Sequence, residues 1–486
     1  MRVPKTGRKY TEREQVVLSA QLWAAATYAS ARLPDERLNL RLVQTASLLA
    51  AKPQDSITQA CQDWAAAKGA YRLVENDRVT LADLIEPLSV STALRCADLP
   101  VVYAVQDTTT LNFNQLKSVP DLGPISHTET RGIFLHSTLA LRRDGVPIGL
   151  LDMYMWCRDP NDRGRKHRRK QLPIEEKESR KWLQGVCAAR SALEGVRPER
   201  RPRIVHVCDR EGDVHEVFAE IVGGGDGAVI RCAQNRRVTT EEDERIGLAH
   251  EIVRQQPLLG TMSVKLPKTA KRPERDAVLE LRACRQTLRP EASKHPLRGP
   301  VPLTLVEVRE VGVPDEMAPL HWFLWTTEAA QTEAEVRNIA EIYALRWIVE
   351  EMHLVLKQGC NVEKLQFGTA ERLMKAIALY GPIAVRIVQL TKLVRREPDA
   401  PCTIVLSEDE WRALWIYYGK PFPLREHGPP TLIEAVRLIG KLGGHLGRKG
   451  DGMPGVRVMW RGLRDLQLVT LTYCACRAAG VGISLR

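Results

Sequence analysis

The stretch that most limits how this chain can fold is LPVVYAVQDTTTLNF, residues 99–113. Val101–Val105 forms a near-continuous apolar run, which a chain buries most readily in the middle of a sheet covered on both faces. The run stops at Asp107. RIVHVCDREGDVHEVFAEI repeats the plan, with an apolar strand that stops at Asp209 and a helix after the turn. Between them, GIFLHSTLALRRDGVPIGLLDMYMW reads as a hairpin turning at Asp144 and Gly145. IEEKESRKWLQGVCAARSAL then reads as a helix with acids in its first turn and bases later, as the helix dipole favours. The order is strand, strand, strand, helix, strand, helix, with the first three strands an antiparallel meander. That order predicts an α/β fold: a mixed sheet with helices on its faces.

The flanks differ. Residues 1–85 are Ala- and Leu-rich and read as a helical domain, in which Ser56 and Gln59 have the spacing of a capping box. Arg37, Arg41, Lys68, Arg72 and Arg78 give it a basic edge. From 226 to 329 the chain changes to short alternating runs, read as a β-rich insertion. Helices resume after it. The expected core is therefore 86–225 and 330–375, followed by a mainly helical C-terminal domain, 376–486.

The formal net charge of +12 over 486 residues suits a polyanionic partner without specifying any sequence. The 11 cysteines include no CxxC pair and no zinc-ligand spacing, which predicts reduced thiols. The start, MRVPKTGRKYTEREQ, lacks the apolar stretch of a secretory signal, and no run is expected to span a bilayer. A cytoplasmic protein is the expectation.

YALRWIVEEMHLVLKQG, residues 343–359, reads as one helix. At about 100° per residue, Tyr343, Arg346, Glu350 and Lys357 fall within an arc of roughly 60°. Leu345, Ile348, Val349, Met352, Val355 and Leu356 lie opposite. A charged stripe of this kind is by itself no more than a solvated helix face. Its partners decide its meaning. A carboxylate ending an apolar strand pays for desolvation unless a cation offsets it. If the helix packs its apolar back against the sheet, Glu350 can reach Asp107 and Asp209. Three carboxylates suit Mg²⁺ or Mn²⁺, and two such ions suit phosphoryl transfer. Asp213 and Glu216 are competing acids near Asp209.

The spacing Tyr343-x2-Arg346-x3-Glu350-x6-Lys357 resembles the signature of bacterial cut-and-paste insertion-sequence transposases of the Asp-Asp-Glu class. QDTTT at Asp107, CDREGD at Asp209, GAYRLVEN, EKESRKWL and HWFLWTTE resemble other segments of that family, over nearly the whole chain. The resemblance implies a ribonuclease-H-like (retroviral-integrase-like) core with a β-rich insertion before the glutamate helix. It implies catalysis and metal binding by Asp107, Asp209 and Glu350. It also implies an N-terminal domain on double-stranded transposon ends and a C-terminal domain that helps form a homodimer in a synaptic complex. Arg346 and Tyr343 would hold phosphates, and Lys357 would meet the backbone. Trp322, 21 residues before Tyr343, corresponds to the family's base-stacking tryptophan, with Trp325 the competing aromatic. Arg231 corresponds to a family arginine beside the DNA. Its neighbours Ala233, Gln234 and Asn235 depart from the Lys-His-Pro run known in the family, while Arg236 and Arg237 keep charge there. Tyr71 and Arg72 fall in the end-binding region. A metal-dependent nuclease without strand transfer, or a non-catalytic DNA-binding protein, fits the same core.

Overall fold

The architecture was obtained as a computed structural model, and the described residues are 20–61, 63–126, 130–159, 172–239, 247–266, 274–289, 299–313, 317–419, 429–448 and 450–480. The basic run Arg163–Lys170 and the N-terminal MRVPKTGRKYTERE lie outside them.

The apolar runs become strands. β1 (Val101–Asn112), β2 (Gly123–Pro124), β3 (Arg131–Leu141), β4 (Pro147–Trp156), β5 (Arg203–Cys208) and β6 (Gly227–Arg231) build the core half of one sheet. β7 (Arg237–Thr239), β8 (Gly247–Leu248), β9 (Gly260–Leu266), β10 (Arg275–Leu288), β11 (Val301–Val311) and β12 (His321–Thr326) build the other half. The path is β2-β3-β1-β5-β6-β12-β11-β10-β7-β8, with β4 paired to β3 and β9 to β10. β1, β5 and β6 run parallel, while β3 and β4 are antiparallel to their neighbours. The hairpin turns where predicted, with Gly145 at φ +82°, a conformation that glycine adopts without strain.

Three expectations need correction. AVIRCAQ, read as the insertion's first run, supplies β6, which pairs parallel with β5. β12 then pairs with β6 through Leu324↔Arg231, so the sheet runs on from core to insertion without a break. The helix read from Ile174 begins at Arg180, after a 3₁₀ turn at Ile174–Glu176 that holds two of its acids. Glu178 is drawn instead to Arg158, which donates from Nη2 at 2.7 Å. Finally, among the described residues one helix, Ala370–Arg396, is long and apolar enough to cross a membrane. Its apolar window is 89% buried within the fold, so packing against protein accounts for its composition.

That helix is the spine of the molecule. Leu373, Ile377, Ile383 and Val388 are buried, each contributing about 1.5–3 kcal/mol. Gly381 lies so close to β4 that a Cβ there would come within 2.6 Å of the Met153 side chain. The N-terminal helices Glu36–Ala51, Trp64–Glu75 and Leu81–Cys96 share its core cluster or pack on it. Leu81–Cys96 crosses the expected boundary at 85 and lies on β4. The capping box at Ser56 and Gln59 forms as spaced. A second cluster, including Leu390, Trp411, Trp415, Ile439 and Met459, joins the end of the spine to the helices Glu408–Tyr417, Leu432–Leu442 and Val456–Ala478. A mixed sheet between helical N- and C-terminal regions is consistent with a ribonuclease-H-like architecture.

Candidate active site

Asp107 lies within β1 rather than at its end, where the parallel pairing with β5 gives out. The last paired residues are Val105 and Val207. The same register carried two residues further sets Asp107 beside Asp209. β5 has ended there, and Asp209 caps a 3₁₀ turn by accepting the Glu211 N–H at 2.8 Å. Burial raises the Asp209 carboxyl above its ordinary value, and the charges of Asp107 and Glu211 push the same way. The Glu211 N–H and Arg346 act against them.

The helix facing these acids is not continuous. Glu333–Ala344 ends, Trp347–Leu354 begins, and a π-turn, Val355–Gly359, closes the segment. At the junction the N–H groups of Leu345 and Arg346 bond three residues back, to Ile342 and Tyr343. At the far end the Cys360 N–H reaches five back, to Val355, at 2.8 Å. Such irregular turns are frequent at functional sites. The apolar back is as predicted, with Ile348, Val349, Met352, Val355 and Leu356 buried. The stripe, however, is not a solvated face: Tyr343 and Arg346 are buried too.

Arg346 Nη2 meets Glu350 Oε1 at 2.6 Å. Its guanidinium carbon lies 4.6 Å from the centre of the Trp347 ring. Burial opposes its charge, but Tyr343, Glu350 and Asp107 together hold its pKa above the ordinary value. The Tyr343 hydroxyl is pushed up by burial and pulled down by Arg346 and Arg231. Lys357 sits in the π-turn, where burial lowers its pKa while Glu363 and Asp107 favour its charge. Trp322 is half-buried, with its ring 5.0 Å from Tyr343 in an edge-on contact. Trp325 is fully buried on the opposite face of β12 and is core. Trp322 and Arg231 line a cavity of about 1130 Å³ between the insertion sheet and the Glu333–Ala344 helix, together with Arg210, Lys265, His321 and Trp347.

Other predicted contacts separate. Arg236 is committed to Asp213 at 2.7 Å, while Arg237 is exposed at the start of β7. Tyr71 is half-buried against Phe367, with ring centres 5.7 Å apart, and Arg72 is exposed.

Sequence reasoning missed His353. It is buried one turn beyond Glu350, with Nε2 3.1 Å from Ser137 Oγ and Nδ1 3.7 Å from Asp107 Oδ2. Ser137 is the cross-strand partner of Asp107. The Glu-x-x-His spacing, which sets both residues toward one helix face, was the available signal.

Carboxylate oxygens are the donors a hard divalent cation takes, and Asp107 and Asp209 crowd each other. In this arrangement, Glu350 is held by Arg346. Among the described residues, no three His, Cys, Asp or Glu groups gather closely enough to hold a metal ion.

Comparison with known families bears on the two flanks of this site. Residues 20–79 match the family model described as Transposase DNA-binding. Residues 382–479 match the one described as Transposase Tn5 dimerisation domain. A DNA-binding domain and a dimerisation domain thus flank the sheet, and together they support a transposase of the Tn5-like superfamily.

Proposed function

We propose that the protein is a DNA transposase acting by metal-dependent cut-and-paste transposition. Within that class, the Tyr343–Lys357 signature draws it toward the transposase of the bacterial composite kanamycin-resistance transposon. It would act as a homodimer in the bacterial cytoplasm, on the ends of its own element and then on target DNA. The observation that supports the reading is Arg346, which pairs with Glu350 and feels both Asp107 and Asp209, between regions matching transposase DNA-binding and dimerisation domains.

Asp107, Asp209 and Glu350 would hold the cations. Bound there, two Mg²⁺ ions, or Mn²⁺ in their place, would activate the attacking water or 3′-hydroxyl and offset charge on the leaving oxygen. The chain's own groups do the positioning. The rigid fork of Arg346 suits a phosphate near the scissile bond, and the Tyr343 hydroxyl and Arg231 flank it. Lys357 adds a point charge along the backbone. The exposed part of Trp322 offers a stacking platform for a base displaced at a hairpin tip. End nicking, hairpin formation and opening, and strand transfer are then four uses of one site.

A strand-transfer assay tests the reading, using purified protein, labelled candidate ends, target DNA and Mg²⁺. Hairpins and joined products are expected. Cut DNA with neither would leave a nuclease, and Asp107→Asn protein that still makes both would remove the site assignment.

A further inference from the structure

Arg346 has two claims on it. In the free chain it pairs with Glu350, while in the function proposed above it grips a phosphate. We propose that this pair is a latch. In DNA-free protein Arg346 draws the Glu350 carboxylate away from the aspartates. A phosphodiester phosphate takes the guanidinium over and releases Glu350 to complete the cation site. The inference rests on the transposase reading of the same residues.

The geometry suits an exchange. The Arg346 side chain is only 8% exposed and packs on Trp347 and Tyr343, so its place does not depend on Glu350. Glu350 keeps 40% of its side chain exposed and is free to swing. The guanidinium also has a donor to spare: its buried Nε has no hydrogen-bond partner among the described residues. A buried, unused N–H beside a replaceable carboxylate is what an incoming anion would fill. The pair is lopsided: Arg346 is buried while Glu350 keeps contact with solvent, so a displaced Glu350 carboxylate can be rehydrated and the arriving anion leaves no buried charge unpaired. A phosphate can engage the planar fork through two N–H groups at once.

The electrostatics give the latch a purpose. Asp107 and Asp209 already repel each other, and a third carboxylate swung in without cations would add to the strain. Arg346 keeps Glu350 neutralised until DNA arrives. Cation binding and DNA binding are thereby coupled, and the site stays incomplete on a chain that has no DNA to cut.

The test is Mn²⁺ binding by the full-length protein, followed by the electron paramagnetic resonance of the free ion. Without DNA, Arg346→Gln and Arg346→Met should both bind Mn²⁺ about five- to tenfold more tightly than wild type. Met keeps the aliphatic stem over Trp347 and guards against a folding defect in the other variant. Adding Glu350→Gln to either should erase the gain. A blunt-ended duplex, whose terminal phosphates need no sequence recognition, should tighten Mn²⁺ binding by wild type but not by Arg346→Met. Equal or weaker binding by both Arg346 variants, or a gain that survives Glu350→Gln, overturns the latch. Asp107→Asn separates the two levels: if it leaves Mn²⁺ binding unchanged, the three-acid site itself fails.

Discussion

One sheet carries two sets of acids drawn wholly or partly out of water, and they are treated in opposite ways. On β11, Glu307 is 1% exposed and faces His321 at 2.8 Å, Arg254 at 3.5 Å and Arg282 at 3.8 Å. Burial alone would raise its carboxyl, yet the His321 hydrogen bond and the two arginines hold it below its ordinary value. Its neighbour Glu310 pairs with Arg275 at 2.7 Å. In the core half, Asp107 and Asp209 crowd each other, and the Asp209 carboxyl is raised. The insertion's acids are compensated within the chain. The core's acids are compensated only in part, and the deficit is what an external cation would relieve. Burial alone therefore does not mark a candidate functional acid; the positive charge beside it has to be weighed as well.

The contrast breaks most easily at its functional end. Asp107→Asn and Glu350→Gln should each lower strand cleavage at least about a thousandfold, measured in single turnover with Mg²⁺. Both should melt close to wild type, because Asp107→Asn relieves repulsion with Asp209 and Glu350→Gln removes only a partly exposed partner of Arg346. A large loss of stability would make these acids structural and dissolve the distinction. Glu307→Gln should behave in the opposite way. Removing one member of a buried ionic cluster costs about 3 kcal/mol, read from chemical denaturation, because Arg254 and Arg282 lose their counter-charge. Cleavage per folded molecule should hold.

A third acid sharpens the comparison. Asp152 on β4 is raised from 3.8 to about 6, mainly by burial, and its Oδ2 has no hydrogen-bond partner among the described residues. It lies in a row across the strands with Thr138 and Gln106, whose Oγ1 and Nε2 are also unpartnered. The unfolded chain loses this proton first as pH rises. Stability therefore falls between pH 3.8 and about 6 and stays lower above that range. Asp152→Asn should stabilise the protein by about 2–3 kcal/mol above pH 6, with the gain vanishing toward pH 4 in denaturation curves. A gain that does not depend on pH would mean the carboxyl is not the source.

Asp107 and Asp209 were legible because an acid ending an apolar run is a local signal. So was the stripe, because helical spacing is local. What escaped was set by distant partners. Strand alternation puts Trp322 and Trp325 on opposite faces of β12, but only the packed sheet decides that Trp325 is the buried one. The joining of core and insertion rests on Leu324↔Arg231, 93 residues apart, and no local pattern encodes that pairing. The 27-residue apolar helix Ala370–Arg396 escaped as a possible span because its Lys375, Arg386 and Lys392 interrupt a simple hydropathy reading. The break at Leu345 and Arg346 follows from their backbone bonds to Ile342 and Tyr343, and helical periodicity runs straight through it.

The smallest expected effect concerns the residue that joins the sheet to the helix carrying Glu350. His353 stands between Ser137 on β3 and Asp107 on β1, from the same helix that carries Glu350. Its bond to Ser137 fixes the ring, and the fixed ring limits how the Asp107 carboxylate can turn. Such supporting contacts around a metal ligand typically alter affinity or activity by about 10–100-fold. His353→Phe keeps an aromatic ring in the same space and removes both nitrogens. It should slow cleavage about tenfold, at the low end of that range because the 3.7 Å approach to Asp107 is too long for a hydrogen bond. The Mn²⁺ concentration for half-maximal cleavage should rise with it. His353→Gln, which can still reach Ser137, should recover part of both. If Phe and Gln behave alike, the ring matters only as packing, and His353 belongs with the compensated, structural half of the sheet.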